Sequence, residues 1–159
     1  MANSENNWDK LLQIQTCGRD DTNADQYHHP YEPTPYCVLE RLADSGLFRK
    51  DDALLDYGCG KGRVDFFLSY QTRCRSIGIE YDDRIYRTAA ENQKTAASAG
   101  RTTFLMENAE TYQVPREADR FYFFNPFSVE ILRSVIGRVM ESYYEEPREI
   151  LLFFYYPSD

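Results

Sequence analysis

The sequence predicts a doubly wound α/β domain, a parallel sheet of about five strands with helices on its faces. Three observations predict it. Short apolar runs alternate with helical patterns from Asp52 onward; the first run, Ala53 to Tyr57, feeds the glycine-rich turn Gly58-Cys59-Gly60-Lys61-Gly62; and Glu80 closes the second run 22 residues after Gly58. Strands separated by helices form parallel sheets through right-handed crossovers. Ligands of such sheets sit beyond the carboxyl ends of the strands.

Taken in order, Trp8, Leu11, Leu12 and Ile14 recur at roughly helical spacing between Ser4 and Gly18, with Gly18 as the expected terminator. From Arg19 to Pro35 the chain is polar and turn-rich, which predicts a loop without a core of its own. Thr34 is the expected cap of a second helix, with Pro35 in its first position, Cys37, Val38, Leu39 and Leu42 on its buried side, and Gly46 just past its end. Residues 1–50 are thus expected to form a helical and lid segment packed on a domain of residues 51–159. Further strands are expected at Arg75 to Glu80, Thr102 to Met106, Arg120 to Phe124 and Ile150 to Tyr156, with a helix over Asp83 to Ala99. A last helix, capped by Ser128, is marked by Leu132, Val135, Ile136, Val139, Met140 and Tyr143 at three- and four-residue steps.

The totals bound the answer. A chain of 159 residues, 42% apolar and 15% aromatic, suits one domain with an ordinary core. Against 26 Asp plus Glu stand 18 Lys plus Arg, and the net charge of −8 argues against a surface that grips phosphate backbones, so nucleic acid is an unfavoured partner. Cys17, Cys37, Cys59 and Cys74 form no CxxC pair, and His28 and His29 read as loop surface, so no metal site is expected. The thiols are expected reduced, in a cytoplasmic protein without a leader or membrane span.

The run Leu54-Leu55-Asp56-Tyr57-Gly58-Cys59-Gly60-Lys61-Gly62-Arg63 carries most of the functional argument. Glycines let a ligand approach the backbone, and an acid at the end of the second strand is placed to bond both ribose hydroxyls, so adenosine is the expected ligand core. Two cofactor classes share this geometry. Asp56 at the mouth of the loop repels a pyrophosphate but pairs with the ammonium group of a methionine moiety. The turn is GxGxG rather than the dinucleotide GxGxxG, and Arg63 stands where the third dinucleotide glycine belongs. Lys61 and Arg63 weigh the other way, since both side chains are able to bind phosphate.

With these motifs, Asp51 to Tyr156 resembles the class I S-adenosylmethionine-dependent methyltransferases. The resemblance implies a Rossmann-like fold and S-adenosyl-L-methionine as cofactor, with S-adenosyl-L-homocysteine as product. It implies cofactor contacts from Asp56, Gly58, Cys59, Gly60 and Gly62 in the loop and from Glu80 and Tyr81 at the ribose. Glu107-Asn108-Ala109 resembles the segment that frames adenine, with Asn108 where the family often has Asp; Tyr81 and Met106 are expected on the adenine faces. Phe124-Asn125-Pro126-Phe127 resembles the (Asn/Asp)-Pro-Pro-(aromatic) motif of amino-methylating members, although it has one proline and its aromatic residue sits one position early. Asn125 is therefore the expected acceptor-positioning residue and a cofactor neighbour.

His28 to Tyr36 is the expected lid over the cofactor. The family's last two strands are missing after Tyr156, so the chain is expected to be a shortened version of a longer protein, with a fifth-strand edge that favours a homo-oligomer or a covering partner. The leading expectation is a methyltransferase acting on a small molecule or a protein side chain, with nitrogen favoured as acceptor. The rivals are a non-catalytic nucleoside-binding module and, disfavoured by GxGxG and Asp56, a dinucleotide-dependent oxidoreductase.

Overall fold

A computed structural model describes residues 2–18, 32–124 and 127–157 of the chain. Five parallel strands form one sheet: β1 (Ala53–Tyr57), β2 (Arg75–Glu80), β3 (Thr102–Met106), β4 (Arg120–Phe124) and β5 (Leu151–Tyr155), in the spatial order β3-β2-β1-β4-β5. The order reverses between β1 and β4, the position at which open sheets of this kind bind ligands, beyond the carboxyl ends of the strands. The register puts Asp56 between Gly78 of β2 and Tyr122 of β4.

The helices are α1 (Ala2–Leu12), α2 (Tyr36–Asp44), α3 (Arg63–Thr72), α4 (Asp83–Thr95) and α5 (Val129–Glu145). Among the described residues no helix is long and apolar enough to cross a membrane. β4 shows why its Arg-Phe-Tyr-Phe-Phe run lacks a polar face. Phe121 and Phe123 pack with Leu55, Tyr57, Val135 and Val139 on the α5 side, while Tyr122 packs with Leu12, Tyr36, Leu39, Phe66 and Phe67 on the other. A strand buried on both faces reads as continuously apolar.

Several expected boundaries move. The first helix ends at Leu12 rather than near Gly18, because Gln13 turns into a positive φ of 60° and Ile14 N–H returns to the Asp9 carbonyl. The second helix begins at Tyr36, with Pro35 in the cap position and no side-chain cap. Thr34 is not the cap: its hydroxyl shares a 2.9 Å hydrogen bond with Tyr122 Oη, while Glu5 of α1 accepts from Tyr36 N–H at 3.0 Å. α4 stops at Thr95, and a 3₁₀ turn at Ala99–Arg101 leads into β3. Ser128 caps α5 as expected, its side chain accepting from Ile131 N–H.

Candidate functional site

The site starts from the turn that joins β1 to α3. Gly58, Gly60 and Gly62 take positive φ values of 71°, 59° and 96°. At Gly62 a Cβ would stand 2.7 Å from Phe66 Cε2 and 2.9 Å from Phe104 Cζ, so the third glycine is needed for helix-to-sheet packing. At Gly58 a Cβ would meet nothing within 4 Å. The backbone there is open to a ligand.

The end of β2 holds this turn. Gly58 N–H and Cys59 N–H both donate to the Ile79 carbonyl at 2.9 Å, and Gly60 N–H donates to Glu80 Oε1 at 2.9 Å. Glu80 Oε2 accepts from Asp82 N–H at 3.0 Å, at the start of α4. The carboxylate as a whole retains acceptor capacity for a further donor. Burial raises the Glu80 carboxyl against the lowering effect of the Asp82 and Gly60 amides. Gly78 is a site residue that the sequence reading missed: a Cβ there would stand 2.7 Å from Cys59 Cβ, so the bare strand seats the loop. The Cys59 side chain is buried against β2, which leaves its backbone as the part able to face a ligand.

Behind the loop lies an acidic cluster. Asp56 is 2% exposed and Asp65, in the first turn of α3, is fully buried. The two carboxyls are in side-chain contact. Asp56 Oδ2 and both Asp65 oxygens lack a donor, and among the described residues no salt bridge reaches Asp56, Asp65 or Glu80. Asp56 is pushed well up, first by burial, then by Asp65 and Glu80; burial pushes Asp65 up to about 7. The α3 N-terminus carries no side-chain cap. A zwitterionic amino acid matches this arrangement, its carboxylate toward the helix end and its ammonium toward the acids.

Arg63 does not serve as a phosphate ligand. It is 3% exposed and built into the scaffold: its guanidinium bonds Glu5, Thr16 Oγ1 at 2.7 Å and the Thr34 carbonyl at 3.0 Å, and it lies 4.1 Å over the ring of Tyr36. Tyr36 in turn bonds Asp9, which also accepts from Thr16. Asn92 of α4 adds a second tie, donating to the carbonyls of Lys61 at 3.0 Å and Gln15 at 3.1 Å.

At the carboxyl ends of β2 and β3, Tyr81 is 59% and Met106 52% exposed. Asn108 Oδ1 accepts from Glu110 N–H at 2.9 Å and so caps its own turn, retaining one lone pair for an outside donor. Ala109 follows on that turn. Asn125 and Pro126, and His28 to Tyr31 of the expected lid, lie outside the described residues.

No protein-family model matches the chain. It is 30% identical over 82 residues to a protein-lysine N-methyltransferase of Saccharolobus islandicus (strain REY15A), a match covering 51% of this chain and 51% of that protein. The match thus spans about half the length of this curated relative. Among solved structures, an RNA methyltransferase from Salinibacter ruber in complex with S-adenosyl-L-homocysteine is 23% identical with a TM-score of 0.61, over 70% of this chain and 71% of that one. A SAM-dependent methyltransferase from Geobacter sulfurreducens in complex with S-adenosyl-L-homocysteine is 17% identical with a TM-score of 0.64, over 80% of this chain and 50% of that one. The fold is that of the class I methyltransferases, in line with the resemblance carried by the sequence motifs.

Proposed function

We propose that the chain is an S-adenosylmethionine-dependent methyltransferase that methylates an amino group, with a protein lysine side chain as the favoured acceptor. The observation that carries the cofactor class is the acidic floor of the glycine loop: Asp56, Asp65 and Glu80 gather behind it, an environment that suits an ammonium and a sulfonium and repels a pyrophosphate. The lysine acceptor rests on the name of the curated relative and accords with the net charge of −8, which favours a cationic acceptor over a phosphate backbone.

In this reading Gly58, Cys59, Gly60 and Gly62 present backbone to the methionine moiety, and Asp56 attracts its ammonium. Glu80 accepts from the ribose hydroxyls, while Tyr81, Met106, Asn108 and Ala109 border adenine. Asn125 orients the incoming amine. Methyl transfer is a displacement in which the amine lone pair forms the new C–N bond as the C–S⁺ bond breaks, so the lysine must arrive without its third proton. Alignment of donor and acceptor then supplies much of the rate. Two further features belong to the same reading: association of copies through the β5 edge, and a cytoplasmic setting that fits four free thiols.

The experiment is calorimetric titration with S-adenosyl-L-methionine, S-adenosyl-L-homocysteine and NAD in parallel. Saturable binding of the first two without the third supports the reading, and methylation of lysine-rich test proteins then follows the acceptor. Silence from all three points to a binding module without cofactor chemistry.

A further inference from the structure

We infer that Asp65 is a positioning residue that shares one proton with Asp56 beneath the glycine loop, and that docking of a cationic cofactor ammonium drives this proton out to solvent. The inference rests on the cofactor reading above. Two carboxyls in contact inside the protein cannot both ionise without a cation between them. Among the described residues neither carboxyl has one: Asp56 Oδ2 and both Asp65 oxygens lack a donor, although the residues are 2% and 0% exposed.

Among the described residues, the groups around the pair offer it no positive charge. From β2 come Glu80 and Ser76, and from just before it Cys74; from the loop comes Cys59; from β4 comes Tyr122. Burial raises the Cys59 thiol and the Tyr122 phenol as well, so both stay neutral near pH 7. The pair with its shared proton is therefore the stable form of the empty site. It carries one negative charge between its two carboxyls, beneath the loop.

An ammonium arriving at Asp56 changes the balance. The O–H bond within the pair breaks, the proton leaves to buffer, and both carboxylates remain ionised against the bound cation. Asp65 does not touch the ligand in this scheme. Its role is to set the charge of Asp56, and so to make cofactor affinity depend on pH: affinity rises with pH by up to about tenfold per unit below the point at which the empty pair loses its proton.

The test is titration of the full chain with S-adenosyl-L-methionine at several pH values, in buffers of different ionisation enthalpy, which reads protons released per cofactor bound. Net release near pH 7 that fades at higher pH is the expected result, together with affinity that rises with pH. Asp65→Asn keeps a hydrogen-bond donor toward Asp56 but removes one titrating carboxyl of the pair, and it should release fewer protons per cofactor bound than the wild type. Binding by the wild type with no proton exchange overturns the inference and leaves the cofactor reading intact. Undiminished release by Asp65→Asn overturns it too, by assigning the proton elsewhere. Absence of any binding by the wild type removes the cofactor reading, and this inference with it.

Discussion

Glu80 accepts the Gly60 amide at 2.9 Å, so the acid expected to hold the ribose also holds the loop against which the methionine moiety would lie. Its second oxygen takes the Asp82 amide and fixes the entry to α4. Glu80→Ala should therefore act twice. Loss of the ribose bonds lowers S-adenosyl-L-methionine affinity by roughly ten- to over a hundredfold, about 1.5–3 kcal/mol. Loss of the two amide bonds lowers the melting temperature as well. Calorimetry and thermal unfolding on the same sample separate the effects, and an affinity change below about twofold would place the ribose elsewhere.

The two ends of the glycine turn should respond in opposite ways to alanine. Gly62→Ala forces a positive φ on an L-residue and drives Cβ into Phe66 and Phe104, which together cost about 2–5 kcal/mol of stability. Gly58→Ala meets open space, so its folding penalty is the backbone strain alone, about 1–2 kcal/mol. Its Cβ instead projects where the cofactor approaches, and affinity should fall by more than stability does. Denaturant melts paired with cofactor titration decide it; equal affinity losses at both positions would count against a ligand beside Gly58.

The contrast shows which parts of the fold are legible in the sequence. β1 to β4 fall on the expected residues because each is an apolar run closed by a turn signal, and β5 is one residue shorter at each end. The loop and Glu80 were readable for the same reason, being local in sequence. What escaped is non-local. Arg63 bonds Glu5, 58 residues away, and Thr34 bonds Tyr122, 88 residues away, and neither pairing leaves a periodic trace. Asp65 looks like an ordinary helix-start acid until β1 brings Asp56 against it, and Gly78 looks like a weak strand residue until Cys59 packs on it.

Stability should fall as pH rises through neutrality. Burial raises Asp65 from the ordinary 3.8 to about 7, and Asp56 is raised in the same direction. The folded chain then retains protons that the unfolded chain releases from about pH 4 upward, so the stabilising contribution is complete below that point and is lost as pH passes about 7. Urea midpoints at pH 5 and pH 8 should differ in favour of the lower pH, and Asp65→Asn should flatten the difference while raising the midpoint at pH 8. A midpoint that climbs with pH in the wild type would show the pair to be ionised in the fold.

Arg63 should be among the most costly residues to remove outside the loop. It is a buried cation at the first turn of α3, where the helix dipole opposes it, and Glu5, Thr16, Thr34 and the Tyr36 ring hold it there. Arg63→Ala leaves the Glu5 and Asp9 carboxylates facing each other across the gap and should cost about 3–5 kcal/mol. Arg63→Lys keeps the charge but not the fork that reaches three partners at once, so it restores only part of the loss. A chemical-denaturation series of the three proteins measures this, and a loss under about 1 kcal/mol for the alanine variant would mean that the network is surface-like in its energetics.

The edge of β5 supplies the last prediction. β4 pairs with one side of the strand, and among the described residues no strand pairs with its other side. Along the strand, Leu152 and Phe154 are 38% and 41% exposed, with Phe154 stacked 4.7 Å from Phe123. A hydrophobic edge of this kind pairs with another edge unless a charge or proline blocks it, and Leu151 to Tyr155 contains neither. Two copies are thus expected to join β5 to β5, with a molecular mass by sedimentation that rises with concentration. Leu152→Lys places a charge on that strand without disturbing the Phe123 to Phe154 stack, and it should hold the protein at the monomer mass while leaving its melting temperature close to that of the wild type. A wild-type chain that stays monomeric at the highest attainable concentration would show that the twist of the edge alone prevents pairing.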